Sequence, residues 1–353
     1  MRIGLVHNRA TEELLRESPE LALNLSDSVE TIEAVIDALE ARGHTVIPVL
    51  VDRHLPVALA QARFDLVFNI SAGFFYGDTR QATVPAMLEY LNIPYTGGGM
   101  LAETLAHHKH IMKVLLLAHG LPTPPFQVFQ HVEEPLGPDL RFPLIVKLPS
   151  EGGSLGLNPQ SVVYDEAALR GQVRALLAKY HQGALVEEFI DGREFTVPVL
   201  GNDPAYALPV VERIYGGDIR IQLDGPEPST LAFYREIMGH DPDFTEFDCH
   251  SVAPAPLSAE QTDYIQQIAV AAYRVLECRD WARFDLRMDA AGEVYILDAN
   301  LEPTLTPEYA LGKSALAAGL TYEELVHRIL AHAVERYPHL HPLLTPQESI
   351  ALS

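Results

Sequence analysis

Arg283, Asp285, Asp298 and Asn300 carry the side chains best suited to chemistry in this sequence, and they fall in two short alternating stretches, 281–289 and 293–300. Ala290-Ala-Gly292 between them reads as a turn, so the whole segment predicts a β-hairpin. Period-two geometry puts Arg283, Asp285 and Arg287 on one face, with Ala282, Phe284 and Leu286 on the other. Asp298 and Asn300 likewise share a face. Pairing Met288 with Glu293 would set Arg283 opposite Asp298, with Asp285 on the diagonal. Two carboxylates, a carboxamide and a guanidinium then converge, a set of oxygen ligands plus one cation that suits Mg²⁺ holding phosphates. The alternative is a structural Arg–Asp pair on a solvated sheet face.

Lysine is scarce: Lys109, Lys113, Lys147, Lys179 and Lys313 are the five. Lys147 sits inside Pro143–Leu148, an otherwise apolar strand, where an ammonium needs either an anion or an edge from which to reach water. The segment Ser150-Glu-Gly-Gly-Ser-Leu-Gly156 follows it. Its glycines allow the chain to bend over a phosphate, and Ser154 adds a hydroxyl donor. Gly312-Lys313-Ser314 lacks the upstream glycine of a P-loop and reads as surface. Glu187-Glu188-Phe189-Ile190, with Glu194 beyond, could offer backbone groups to a purine edge and carboxylates to ribose; solvated glutamates are the plainer reading. His107-His108-Lys109-His110 reads as a half-exposed helix turn more readily than as a metal site.

The elements that must position these residues follow from periodicity. Residues 3–6, 45–51 and 65–70 predict buried parallel strands, and Val29, Ile32, Val35, Ile36 and Leu39 predict a helix ended by Gly43. This doubly wound α/β unit closes near residue 100 at Thr96-Gly97-Gly98-Gly99. One helix is expected over 101–118, strands over 142–148 and 184–190, and a helix over 166–179, a small α+β unit spanning 101–190. A larger α+β unit fills 191–337, with a helix over 259–277 capped by Ser258 and Gln261. The proline-broken tail 338–353 receives no element. The 353 residues are enough for two or three cores. A formal charge of −23 argues against nucleic acid and anionic membranes as partners. No apolar run reaches membrane-spanning length, and MRIGLVHN reads as a strand, not a signal segment. Cys249 and Cys278 have no metal spacing, so a reduced cytoplasmic setting is expected.

In this order, Ile93-Pro-Tyr-Thr-Gly-Gly-Gly99, Phe142-Pro-Leu-Ile-Val-Lys147 with Glu151-Gly-Gly-Ser154, the run Leu185 to Thr196, and Ala282-Arg-Phe-Asp285 through Asp298-Ala-Asn300 resemble the ATP-grasp superfamily, and within it the D-alanine–D-alanine ligase family. The resemblance covers roughly residues 64–335. It implies three α/β and α+β domains with ATP gripped between the second and third. It also implies that Lys109 and Lys147 contact phosphates under a loop carrying Glu151, Gly153 and Ser154. Glu187 and the backbone of Glu188, Phe189 and Ile190 would meet the adenine, Leu297 would pack on its ring, and Glu194 would bind ribose. Asp285, Asp298 and Asn300 would hold two Mg²⁺, and Arg283 would steady an oxyanion. The implied reaction activates a carboxylate as an acyl phosphate for attack by an amine, in a homodimer.

Several positions depart from the family pattern. Asp298 is one methylene shorter than the usual glutamate, and His7-Asn-Arg-Ala-Thr-Glu-Glu replaces the substrate-binding Gly-Gly-x-Ser-x-Glu-Arg. Glu302-Pro-Thr-Leu-Thr306 replaces Pro-Gly-Met-Thr, and the 228–248 lid has no lysine, leaving Arg235 as its cation. The expectation is therefore an acid–amino-acid ligase whose substrates are amino acids or their analogues. A true D-alanine–D-alanine ligase is the narrower alternative, and a nucleotide-binding module that has lost ligation the distant one.

Overall fold

The computed structural model describes residues 1–10, 16, 26–74, 79–152, 155–158, 160–215 and 249–344. Strand β1 (Arg2–His7), helix α1 (Val29–Glu40), β2 (Thr45–Leu50), α2 (Leu55–Gln61) and β3 (Leu66–Asn69) form a parallel sheet of order β2-β1-β3. Ile3, Leu5 and Phe68 pack on Ile32, Val35 and Leu39 of α1, while Val6 and Val67 face Leu55 and Leu59 of α2. Both faces are covered, as continuous apolar strands require. Ser28 caps α1 by accepting from the Thr31 amide, and Gly43, at φ +82°, turns the chain out of it as expected.

Helix α3 (Thr83–Tyr90) leads through the glycine loop to α4 (Met100–His107) and α5 (Lys109–Ala118). The single helix expected over 101–118 is thus two. His108 breaks it at ψ 85°, which sends the Lys109 amide to the Pro149 carbonyl and brings His108 Nδ1 to 2.7 Å from Ser150 Oγ. Long-range partners outcompete the uninterrupted helical ladder at that residue.

Strands β4 (Phe126–Phe129), β5 (Leu144–Lys147), β6 (Val162–Val163) and, after helix α6 (Glu166–Tyr180), β7 (Ala184–Glu188) form a second sheet, ordered β4-β7-β5-β6 and packed on one side by α6. The third sheet runs β11-β10-β8-β12-β13, all antiparallel. Its strands are β8 (Gly192–Leu200), β9 (Tyr206–Ala207, beside β8), β10 (Val211–Tyr215), β11 (Cys249–Val252), β12 (Trp281–Asp289) and β13 (Val294–Asn300). Helix α7 (Ala259–Val275) starts with the expected Ser258/Gln261 capping box and covers one face, burying Phe195, Val197, Phe284, Leu286 and Ile296.

Helices α8 (Ala310–Ala317) and α9 (Tyr322–Glu335) return to the first sheet, where Val326, Ile329 and Leu330 of α9 join the core of β1 and α1. The tail is not featureless: Pro338–Leu343 makes a 3₁₀ turn and buries Leu340 in that same core. Prolines hide this turn from an α-periodicity search but are compatible with the tighter helix.

Candidate active site

The face of the third sheet turned away from α7 is polar, and its side chains line up in cross-strand rows. One row reads Arg213, Glu194, Arg287 from β10 to β12; the next reads Thr196, Asp285, Asp298 from β8 to β13; in the last, Arg283 faces Asn300. The hairpin therefore departs from the register expected from sequence: Asp285, not Arg283, lies opposite Asp298. Two features shift it. Asp289 Oδ1 accepts from the amides of Ala291 and Glu293 and lengthens the turn, so that Met288 pairs with Val294. A bulge then leaves Leu297 unopposed between Ile296, paired with Leu286, and Asp298. Without that extra residue Asp298 would share the core-facing side of Ile296; with it, the carboxylate swings to the polar face.

The Asp285 carboxylate is fully engaged. Its Oδ1 accepts from Thr196 Oγ1 at 2.9 Å, and its Oδ2 from Arg283 Nη2 at 2.8 Å and Asn300 Nδ2 at 3.0 Å. Burial works to raise its pKa, but Arg283 and Arg213 overcome that and hold it below the usual carboxylate value. Asp298 Oδ2 takes Lys109 Nζ at 2.5 Å, and so ties the first turn of α5 to the hairpin.

A second charged group lies where α5 crosses β5 and β7. Glu187 is 2% exposed and pairs with Lys147 Nζ through Oε1 and with Lys113 Nζ, 2.9 Å away, through Oε2. Lys113 also donates to Thr123 Oγ1 at 2.7 Å, which in turn donates to the Ile296 carbonyl. Desolvation lowers the Lys113 pKa to about 8 against the opposing pull of Glu187. Burial raises and the two lysines lower the Glu187 pKa, and the lysines win. Lys147 thus has the anion its apolar strand called for.

The sequence model described as "D-ala D-ala ligase C-terminus" matches residues 115–331. The chain is 36% identical over 288 residues to the D-alanine–D-alanine ligase of Cupriavidus taiwanensis, covering 80% of each. It is 34% identical over 313 residues to an uncharacterized Sinorhizobium fredii protein, covering 86% of this chain and 88% of that one. This chain belongs to the D-alanine–D-alanine ligase family. The structure of the Bacillus anthracis D-alanine–D-alanine ligase complexed with ATP superposes with a TM-score of 0.72 at 23% identity, over 96% of this chain and 99% of that one. The fold is accordingly ATP-grasp.

As a family member, the chain offers Mg²⁺ a fitting donor set. Asp285 and Asp298 are cross-strand neighbours, Asn300 adds a carboxamide oxygen once its amide is turned from Asp285, and all are hard oxygen donors. Lys109 and Arg283 pair with these carboxylates. In the 188–190 stretch, the Glu188 and Phe189 amides donate to the Pro125 and Pro143 carbonyls. Among the described residues this leaves the Ile190 N–H as the amide of the three with no acceptor. Glu188 Oε1 accepts from the Arg141 amide at 2.9 Å and points away from the lysine pair. Glu194 is held by Arg287 and Arg213, and Glu151 by Arg80 and Gln182. Gly153, Ser154, Arg235 and the 228–248 lid lie outside the described residues.

Three residues of these polar clusters carried no role in the sequence: Lys113, Thr196 and Arg287, the last placed on the face of Arg283 and Asp285 but given no partner. Lys113 could have been found, since the i, i+4 spacing from Lys109 places both lysines on one helix face. Thr196 becomes meaningful only once β8 is known to pair with β12. A further polar group sits at the carboxyl ends of β1 and β3, where Asn69 Nδ2 lies 3.4 Å from Glu302 Oε1 and Asp27 Oδ2 accepts from the Asn8 amide at 2.8 Å. Burial pushes the Asp27 pKa up to about 7. Glu302 and Asp27 thus stand beside the sheet edge at which open α/β sheets take ligands.

Proposed function

We propose that this chain is an ATP- and Mg²⁺-dependent ligase that joins a carboxylate to an amine, both amino acids or amino-acid-like molecules, through an acyl phosphate. The observation that carries this reading is the Asp285–Asp298 row with Arg283, Asn300 and Lys109 around it. In the reaction the substrate carboxylate oxygen bonds to the γ-phosphorus and ADP leaves; the amine nitrogen then bonds to the acyl carbon and inorganic phosphate leaves. Lys109, resting on Asp298, and Lys147, resting on Glu187, are the ammonium groups that turn to phosphates. Arg283 donates to the oxyanion of the tetrahedral intermediate. Glu187 and the Ile190 amide meet the adenine edge, Leu297 packs on the ring, and Glu194 accepts from ribose. Glu151 and the loop with Gly153 and Ser154 close over the phosphates and exclude the water that would hydrolyse an acyl phosphate. Asp285, Asp298 and Asn300 would hold two Mg²⁺, which when bound neutralise charge on the transferred phosphoryl group. The family resemblance supports a cytoplasmic enzyme and a homodimer. Among the described residues no helix is long and apolar enough to cross a membrane.

The test is amine-stimulated ADP release by the parent chain and by Asp285→Ala. Loss of a carboxylate that organises Thr196, Arg283 and Asn300 should lower turnover by roughly 10²–10³-fold, the size of effect that follows removal of one electrostatic stabiliser of a transition state. Turnover at the parent rate would overturn the metal assignment. A second reading, ligation of D-alanine to D-alanine, is favoured by the name of the Cupriavidus taiwanensis relative. Glu302 and the His7–Asn8 segment stand where the family's own alanine-binding pattern is replaced, which favours the broader substrate class.

A further inference from the structure

We propose that Arg287 is a positioning residue that fixes Glu194 as the carboxylate reading the ribose hydroxyls; this rests on the role given to Glu194 above. Arg287 is 3% exposed, two residues after Asp285 on the same face of β12, directly across from Glu194 of β8. Its Nε and Nη2 both donate to Glu194 Oε2, at 3.2 and 2.9 Å, so the planar guanidinium pins that oxygen with two donors while the charge is balanced. Nη1 donates to the Ile190 carbonyl at 2.9 Å, and the guanidinium lies 5.1 Å from the Phe189 ring. One side chain thereby locks the segment proposed to meet the base onto the carboxylate proposed to meet the sugar. From the opposite side Arg213 Nη1 reaches Glu194 Oε1 at 3.4 Å. An ionised carboxylate has about four lone-pair positions. The arginines place two donors on Oε2 and one on Oε1, and an ionised carboxylate can only accept, so a nucleotide group it meets must be a donor, as a ribose hydroxyl is. A burial partner of Glu194 could be any cation; the fork, the carbonyl contact and the ring contact together require arginine.

The experiment is calorimetric binding of ADP, 2′-deoxy-ADP and 3′-deoxy-ADP to the full chain with Mg²⁺, which needs no turnover. The parent should bind ADP roughly tenfold more tightly than at least one deoxy nucleotide, the worth of a hydrogen bond to a charged group. Arg287→Met should lose roughly tenfold on ADP but little on that deoxy nucleotide, so the preference collapses. Arg287→Lys keeps the charge without the fork and should collapse it too. Equal weakening of all three nucleotides, or a preference unchanged in both variants, would overturn the positioning role and leave the Glu194 assignment standing. A parent with no preference would overturn the Glu194 assignment, and this proposal with it.

Discussion

At Glu187, one carboxylate holds two ammonium groups inside the protein, and the arithmetic of burial decides its importance. Lys113 is wholly buried and cannot find water as a substitute partner without moving the chain, whereas Lys147 is partly exposed. Breaking such a pair leaves an uncompensated charge, which costs about 3–5 kcal/mol. Glu187→Ala should lose that much in urea unfolding even with no nucleotide present; a loss below ~1 kcal/mol would mean that the lysines relax to solvent. The same cluster shows what residue types reveal. Lys147 was visible because a lysine in an apolar strand demands an explanation, whereas Glu187 looked like any solvated glutamate until β5 and β7 were paired, which sets Ile145 opposite it and Lys147 on the diagonal.

At the scale of elements, two irregularities place the chemistry. The bulge at Leu297 turns Asp298 to face Asp285, and the break at His108 aims Lys109 at Asp298. Alternation and periodicity made the hairpin, the α7 capping box and most strands legible. They assume regular geometry, however, so they missed both irregularities, which are set by turn length and by partners distant in sequence. The break carries a measurable pH signature. His107, the last residue of α4, is 5% exposed, and desolvation, then the charges of Arg80 and Lys109, lower its pKa to about 3. In the unfolded chain it takes up a proton below about 6.5, so between those values the unfolded state binds more protons and stability rises with pH. The stability of the parent relative to His107→Gln should therefore be greatest above pH 6.5 and fall by about 1.4 kcal/mol per pH unit on acidification toward pH 4. A difference independent of pH would show that the imidazole protonates without leaving its site.

Over the whole molecule, three sheets divide the labour: a parallel sheet with polar side chains at its carboxyl edge, a small sheet bearing Lys147 and Glu187, and an antiparallel sheet bearing the carboxylate rows. The parallel strands and the hairpin were legible in the sequence. The return of α9 and Leu340 to the core of β1 was not, because it joins residues some three hundred positions apart through apolar contacts without a motif. The strong negative charge of the chain is not mirrored locally, where Lys109, Lys113, Lys147, Arg283 and Arg287 stand against Glu187, Glu194, Asp285 and Asp298. The most direct test of carboxylate–amine ligation is ADP release from Mg²⁺-ATP across D- and L-amino acids, singly and in pairs, with mass spectrometry of the products. ADP release should require amino acids and be matched by an equal amount of a condensed product lighter than its parts by one water. ATP bound by the chain with no amino-acid-dependent ADP release and no condensed product would contradict ligation and leave a nucleotide-binding protein.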